Sequence, residues 1–311
     1  MRIALLLALA ALFVAFPLAF PWLAFVFTLV ISKGFAALGV AVLLRAGLIS
    51  IGHALFYSLG AYTVAYLSRG AGVTDLILQL AGAVAVSSLV GLIIGLFMVR
   101  YRGIFFAMLN LAVSMVFFTL LSKLYALTGG TDGVRIGTPT LFGTTIERDT
   151  LESILLYGGL VLAFGVGYLV HRYLKSPMGE ALPAVETNEI RLEYLGIAVP
   201  RVLLAAYVAS AGLAGLGGAM YGLLVGHVSP ELAYWTISGQ LVLVAVLGGI
   251  GGVVGPFVGA FFLEIIRSFA VIYFDNIWNL IIGAGLLIVI FFLPRGLYGL
   301  IERATQRGPR R

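Results

Sequence analysis

The chain is a succession of apolar runs about twenty residues long, the length one helix needs to cross a bilayer, separated by short clusters of Gly, Pro and charge. Cutting at those interruptions predicts spans near residues 3–20, 22–44, 47–68, 74–99 and 104–124, then 152–173, 201–226, 236–256, 257–274 and 277–293. The junctions at Pro21 and Pro256 are the least marked, because proline either ends a helix or kinks one. The expected fold is an all-α polytopic membrane protein of about ten transmembrane helices, eight if both junctions are kinks. The start, MRIALLLALAALFVAF, has the basic-then-apolar order of a signal peptide, but further apolar runs follow at once, so it reads as a first helix that stays in place.

Two polar segments break the rhythm. One, within residues 125–151, is LTGGTDGVRIGTPTLFGTTIERDT, rich in Gly and Thr, and reads as a turn-dense external loop. The other, within 174–200, spaces Glu180, Glu186, Glu189 and Glu193 at helical intervals with apolar residues between them, predicting one or two short helices against the inner membrane face. Pro183 suits a first turn or a break there, and Gly196 a helix end. Residues 1–302 thus form one transmembrane domain and 303–311 a basic cytoplasmic tail.

Composition closes off other classes. Hydrophobic residues make up 61% of the 311 and charged residues 10%, against about 25% charged in soluble proteins, so no sizeable soluble domain fits. There is no cysteine, and His53, His171 and His227 are too far apart for a zinc motif, so no metal is expected. The net charge of +6 is read as membrane topology and not as nucleic-acid binding. With both termini cytoplasmic, thirteen Lys and Arg residues fall in inner segments and only Arg69, Arg135 and Arg148 in outer ones. Neither GxxxxGK[ST] nor GxGxxG occurs, so the chain is not expected to hydrolyse ATP or to hold a cofactor, and no enzymatic site is visible.

A few positions carry possible chemistry inside the spans. Glu264 is the acidic residue best embedded in apolar sequence; Arg267, three residues on, offers an ion pair on the same helix face, with a transport role as the sharper alternative. Lys33 either snorkels or lines a polar cavity. Ser50, His53, Tyr57 and Ser58 fall within a few helical turns, as hydrogen-bonded packing groups or as ligands along a path. Gly218, Gly222 and Gly226 form one small-residue stripe; Gly248 with Gly252 and Gly255 with Gly259 form others, with a hinge at Pro256 as the alternative reading.

The strings GLISIGHALFYSLGAY, LTGGTDGVRIG, SPMGEALPAVETNEIRLEYLGI, HVSP, VLGGIGGVVGPFVGA and FLPRGLYGLI, in that order from about residue 40 to 302, resemble the permease subunits of bacterial branched-chain amino-acid ABC importers, the LivM type. The resemblance implies an ABC importer permease fold in the inner membrane. It also implies a second homologous permease subunit, two ATP-binding cassette ATPase subunits, an extracytoplasmic substrate-binding protein and surrounding lipid as partners. It further implies that Pro177, Gly179, Glu180, Ala181, Leu182, Glu186, Asn188, Glu189, Leu195 and Gly196 belong to a loop that docks on an ATPase. Glu180 and Glu186 stand where the family usually has Arg, which implies a correspondingly basic groove on the ATPase. The path for small amino acids is then expected along Ser50, His53, Tyr57 and Ser58, with Thr128, Gly129, Gly130 and Thr131 at its outer mouth. Family relatives carry urea, short amides or organic acids, and these remain alternatives; an ion-coupled secondary transporter is a further one, for which only Glu264 is on hand.

Overall fold

The computed structural model describes residues 22–141 and 143–273, with Gly283, Gly296, Leu297 and Gly299. The expected spans 3–20 and 277–293, the tail 303–311 and most of FLPRGLYGLI lie outside the described residues. Among those described, the helices longer than one turn are α1 (Trp22–Leu44), α2 (His53–Arg69), α3 (Leu76–Met98), α4 (Gly103–Lys123), α5 (Arg148–Leu174), α6 (Pro177–Tyr194), α7 (Val199–Val225), α8 (Trp235–Gly248) and α9 (Val254–Tyr273). Five of the described helices, α1, α3, α4, α5 and α7, are long and apolar enough to cross a membrane, α5 from Thr150 onward.

Apolar sequence specifies these helices; local chemistry sets their ends. Asp75 begins α3 by accepting from the amides of Ile77 and Leu78 at 3.0 and 3.3 Å, satisfying donors the first turn leaves open. Gly226 ends α7 in the left-handed conformation, φ 75°, so it is a terminator and not a member of the packing stripe the sequence predicts.

The helices sort into inner and outer positions. The apolar window of α1 is 94% buried and that of α7 78%, against 22% for α3 and α4 and 28% for α5, so α1 and α7 form the core and α3, α4 and α5 lie at its periphery. Glycine makes that core possible. A methyl group on Gly218 would come within 1.7 Å of the Tyr57 carbonyl of α2, and one on Gly217 within 2.3 Å of the Ser32 carbonyl of α1. In a membrane, close backbone approach of this kind replaces the hydrophobic effect as the force holding helices together.

Two predicted spans are shorter as helices than as apolar runs. Span 47–68 becomes helical only at His53, because Gly47 takes a φ of 68° and the chain runs irregularly to Gly52. Span 236–256 stops at Gly248; Gly249, φ 96°, starts a break, and α9 begins at Val254. Pro256 therefore sits in the first turn of α9, where its missing N–H breaks no hydrogen bond, and the hinge expected there gives way to the break before it. The expected glycine contacts are present in altered partnership: Gly248 would meet the Gly255 carbonyl at 2.0 Å and Gly259 the Val244 carbonyl at 2.2 Å, closing α8 against α9. Gly252 lies within the break.

The polar loop between α4 and α5 is folded. β1 (Val134–Arg135) pairs antiparallel with β4 (His227–Val228), and β2 (Thr140–Leu141) with β3 (Thr144–Thr145). The first pairing ties the loop to the far end of α7.

Candidate functional site

Three groups of residues carry the predicted chemistry, and the fold keeps them apart. The first is α6. Ser176 caps it, accepting from the Gly179 amide at 3.4 Å, and Pro177 occupies the first turn. Gly179 is needed at the corner with α5, since a methyl there would lie 2.2 Å from the Tyr173 carbonyl. Gly179, Ala181, Leu182, Val185 and Leu192 form the buried face. The helix breaks at Asn188, φ −163° and ψ 93°, not at Pro183, and the Asn188 side chain accepts from the Arg191 amide at 3.1 Å to start a second short helix. Gly196 follows its end with φ 78°.

The outward face of α6 carries exposed Glu180, Glu186, Ile190, Tyr194 and Leu195, the last three with 64%, 88% and 70% of their surface open. Besides its packed apolar face, α6 is tied to this end of the molecule by two further contacts. Glu189 accepts from Arg102, between α3 and α4, through two bonds of 2.7 and 3.0 Å. The Glu186 stem packs over Gly47, where a methyl would come within 3.0 Å of it. In turn Arg45, at the end of α1, donates to the Ile250 and Gly251 carbonyls at 3.0 and 2.7 Å, in the break between α8 and α9.

The second group lies at the start of α2. His53 is fully buried; its Nδ1 is 2.8 Å from the Ser50 hydroxyl and its Nε2 2.5 Å from that of Ser210 on α7. The Ala54 amide donates to Ser238 of α8 at 2.8 Å. The Tyr57 hydroxyl donates to Ser32, whose own proton goes to the Gly217 carbonyl, each over 2.8 Å. Ser58 turns to the Leu55 carbonyl at 2.9 Å within its own helix. These groups lock α1, α2, α7 and α8 together through buried, satisfied hydrogen bonds, which is the packing alternative of the sequence reading.

The third group lies in the loop between α4 and α5. The Thr128 hydroxyl is 2.5 Å from the Leu121 carbonyl and accepts from the Gly130 amide at 3.2 Å; Gly129 and Gly130 take φ of 69° and 58°, and Thr131 is exposed. Tyr66 donates to the Leu127 carbonyl at 2.5 Å, so this turn stands about 20 Å along α2 from His53 at 1.5 Å per residue.

A fourth group joins charges that lie 231 residues apart in the chain. Lys33, in the middle of α1, forms a buried ion pair with Glu264, in the middle of α9. Arg267 stands 3.9 Å from the same carboxylate oxygen. Lys33 therefore neither snorkels nor stands alone. The only sequence signal for the pair is that each lone mid-span charge costs about 2.5–3.5 kcal/mol to insert, which opposite signs relieve.

Residues 22–291 match the family described as branched-chain amino acid transport system, permease component, a transport family and not an enzyme family. The chain is 30% identical over 273 residues to the high-affinity branched-chain amino acid transport system permease protein LivM of Salmonella typhimurium, and 29% identical over 273 residues to LivM of Escherichia coli. Each match covers 81% of this chain and 64% of the relative, so the chain spans just under two thirds of their length. LivH of Escherichia coli is 29% identical over 125 residues, 40% of each chain. No solved structure matches the chain significantly.

Proposed function

The chain belongs to the family of permease components of branched-chain amino acid transport systems, and on that premise we propose that it forms half of a translocation pathway for branched-chain or other small amino acids in a bacterial inner membrane. A second homologous permease supplies the other half, and two separate ATP-binding subunits drive alternating access. An extracytoplasmic binding protein delivers the substrate. The helices are about ten, both termini are cytoplasmic, and the folded external loop with Thr128–Thr131 faces the binding protein.

The observation that carries this reading is the outer face of α6. Ile190, Tyr194 and Leu195 are exposed apolar residues after the break at Asn188, and Glu180 and Glu186 are exposed before it; exposed apolar residues gathered on one short segment mark contact with a partner. The same helix is clasped to the α3–α4 junction and to Gly47. A push on α6 is thereby passed to the irregular segment that leads into α2, and through Arg45 the end of α1 is joined to the break between α8 and α9. The ion-coupled alternative is weakened because Glu264 is held by Lys33.

Reconstitution with both ATPases, the second permease and the binding protein tests this: ATP-dependent uptake of radiolabelled leucine is expected, and gradient-driven uptake by the purified chain alone would sink it. Glu180→Arg with Glu186→Arg is expected to weaken assembly and stimulated ATPase activity by about tenfold, the scale of one charge pair reversed. Glu180→Arg alone, which leaves Gly47 untouched, is expected to give part of that loss. Unchanged assembly in both variants would remove the basic groove from the proposal.

A further inference from the structure

The C-terminal half of α5 carries one open face. Gly158, Val161, Gly165, Tyr168, Arg172 and Lys175 follow one another at intervals of three and four, so they share one side of the helix and its end. All six are exposed among the described residues, while Leu155, Leu156, Gly159 and Val170 are buried on the packed side. A methyl on Gly159 or Gly167 would meet Met220 at 2.6 Å or Val253 at 3.2 Å, whereas one on Gly158 or Gly165 would find nothing within 4 Å. The open face is therefore a shallow strip of bare backbone, bordered by exposed Phe164 on one side and Leu169 on the other. Glycine weakens a helix interior, and at these two positions no neighbouring helix requires it.

The strip ends in cations. Arg172 and Lys175 lie one turn apart with exposed His171 beside them. Neither has a carboxylate partner among the described residues, in contrast to Lys33, Arg102 and Arg148, which pair with Glu264, Glu189 and Glu152. The negative end of the helix dipole favours such charges, yet it does not call for bare backbone beneath them. Tyr168, one turn before Arg172, has the apolar ring and polar tip of residues that sit at the level of lipid headgroups. At 1.5 Å per residue Gly165 lies about 10 Å and Gly158 about 21 Å from Arg172, so the bare strip runs through the inner part of one leaflet, about 15 Å of hydrocarbon deep.

We infer that this face of α5 binds one anionic phospholipid, its phosphate held by Arg172 and Lys175 and an acyl chain laid over Gly165 and Gly158. Charge selects lipid over a protein occupant. Membrane proteins gather Lys and Arg at one side of the bilayer, so a second permease would bring cations against cations, whereas a phosphatidylglycerol headgroup supplies the missing anion. The Arg172 guanidinium offers a planar fork to two phosphate oxygens and the Lys175 ammonium adds a point charge. The site requires only that α5 spans the membrane, and is independent of the transport reading above.

Native mass spectrometry of the full chain in detergent, titrated with dioleoyl phosphatidylglycerol or dioleoyl phosphatidylcholine, provides the test. One phosphatidylglycerol is expected to be retained about twentyfold more tightly than phosphatidylcholine. Arg172→Gln and Lys175→Gln should each weaken that retention about fivefold, the scale of one basic residue at an anionic surface. Gly165→Leu, at a position where an added side chain starts in open space, should weaken it as well while leaving the melting temperature unchanged or higher. Glycerophosphoglycerol, the same headgroup without chains, should not displace the lipid. Equal retention of the two lipids, retention unaffected by Arg172→Gln or by Gly165→Leu, or displacement by glycerophosphoglycerol would each overturn the assignment. Loss of pairing with the second permease in Gly165→Leu would also overturn it, by making the face a protein interface. A complex that retains phosphatidylglycerol in this way yet fails to import leucine would count against the proposed function and leave the lipid site standing.

Discussion

Glu264 serves two cations at once, Lys33 from α1 and Arg267 from its own helix, and this asymmetry sets what each substitution does. Lys33→Met leaves Glu264 with Arg267 still beside it, so a modest loss of stability is expected. Glu264→Gln leaves the buried Lys33 ammonium without its carboxylate, and the loss should reach about 3–5 kcal/mol, the scale for breaking a buried pair from one side. Thermal unfolding of the detergent-solubilised protein measures both; equal losses would show that Arg267 contributes nothing to the cluster. Each charge is visible in the sequence as an anomaly in an apolar run. Their meeting is not, because 231 residues separate them and helical spacing speaks only of neighbours on one helix. The same limit applies to His53: Ser50 is three residues away and legible, whereas Ser210 is 157 residues away and is not.

Helices α1 and α7 are set by glycine as much as by apolar content. Gly218→Ala would drive a methyl into the Tyr57 carbonyl, 1.7 Å away, while Gly158 on α5 has nothing within 4 Å of an added methyl. Gly218→Ala is therefore expected to cost about 1–3 kcal/mol or more, the overpacking range, and Gly158→Ala to be neutral or slightly stabilising through helix propensity. Monodispersity and melting in detergent compare the two, and a harmless Gly218→Ala would undo the account of the α2–α7 contact. Element boundaries show what periodicity can read. Spans 74–99, 104–124, 152–173 and 201–226 match α3, α4, α5 and α7 to within about four residues, since apolar length alone defines them. Spans 47–68 and 236–256 run past their helices, because hydropathy cannot distinguish an apolar helix from an apolar irregular segment buried by its neighbours. Asn188 breaks α6 where Pro183 was the visible candidate, since a residue that caps a new helix takes a non-helical backbone conformation itself.

Across the whole molecule, the proposed drive runs from α6 to the membrane interior through contacts that add little stability. Arg102 and Glu189 are each 31% exposed, so Arg102→Ala should change stability by about 1 kcal/mol or less. Transport per ATP hydrolysed should nonetheless fall, because the clasp between α6 and the α3–α4 junction is lost; parallel uptake and ATPase assays on the reconstituted complex would show it, and an unchanged ratio would remove this clasp from the drive. By itself the sequence determined the class of the protein, the positions of its longest helices and the polar segments at their ends, because a bilayer imposes those through length and apolarity on each segment independently. The tertiary structure alone decided which helices are central, where apolar runs cease to be helical, and which distant charges and hydroxyls pair. Those follow from packing surfaces that lie far apart along the chain, and a local pattern carries no record of what the opposite surface will be.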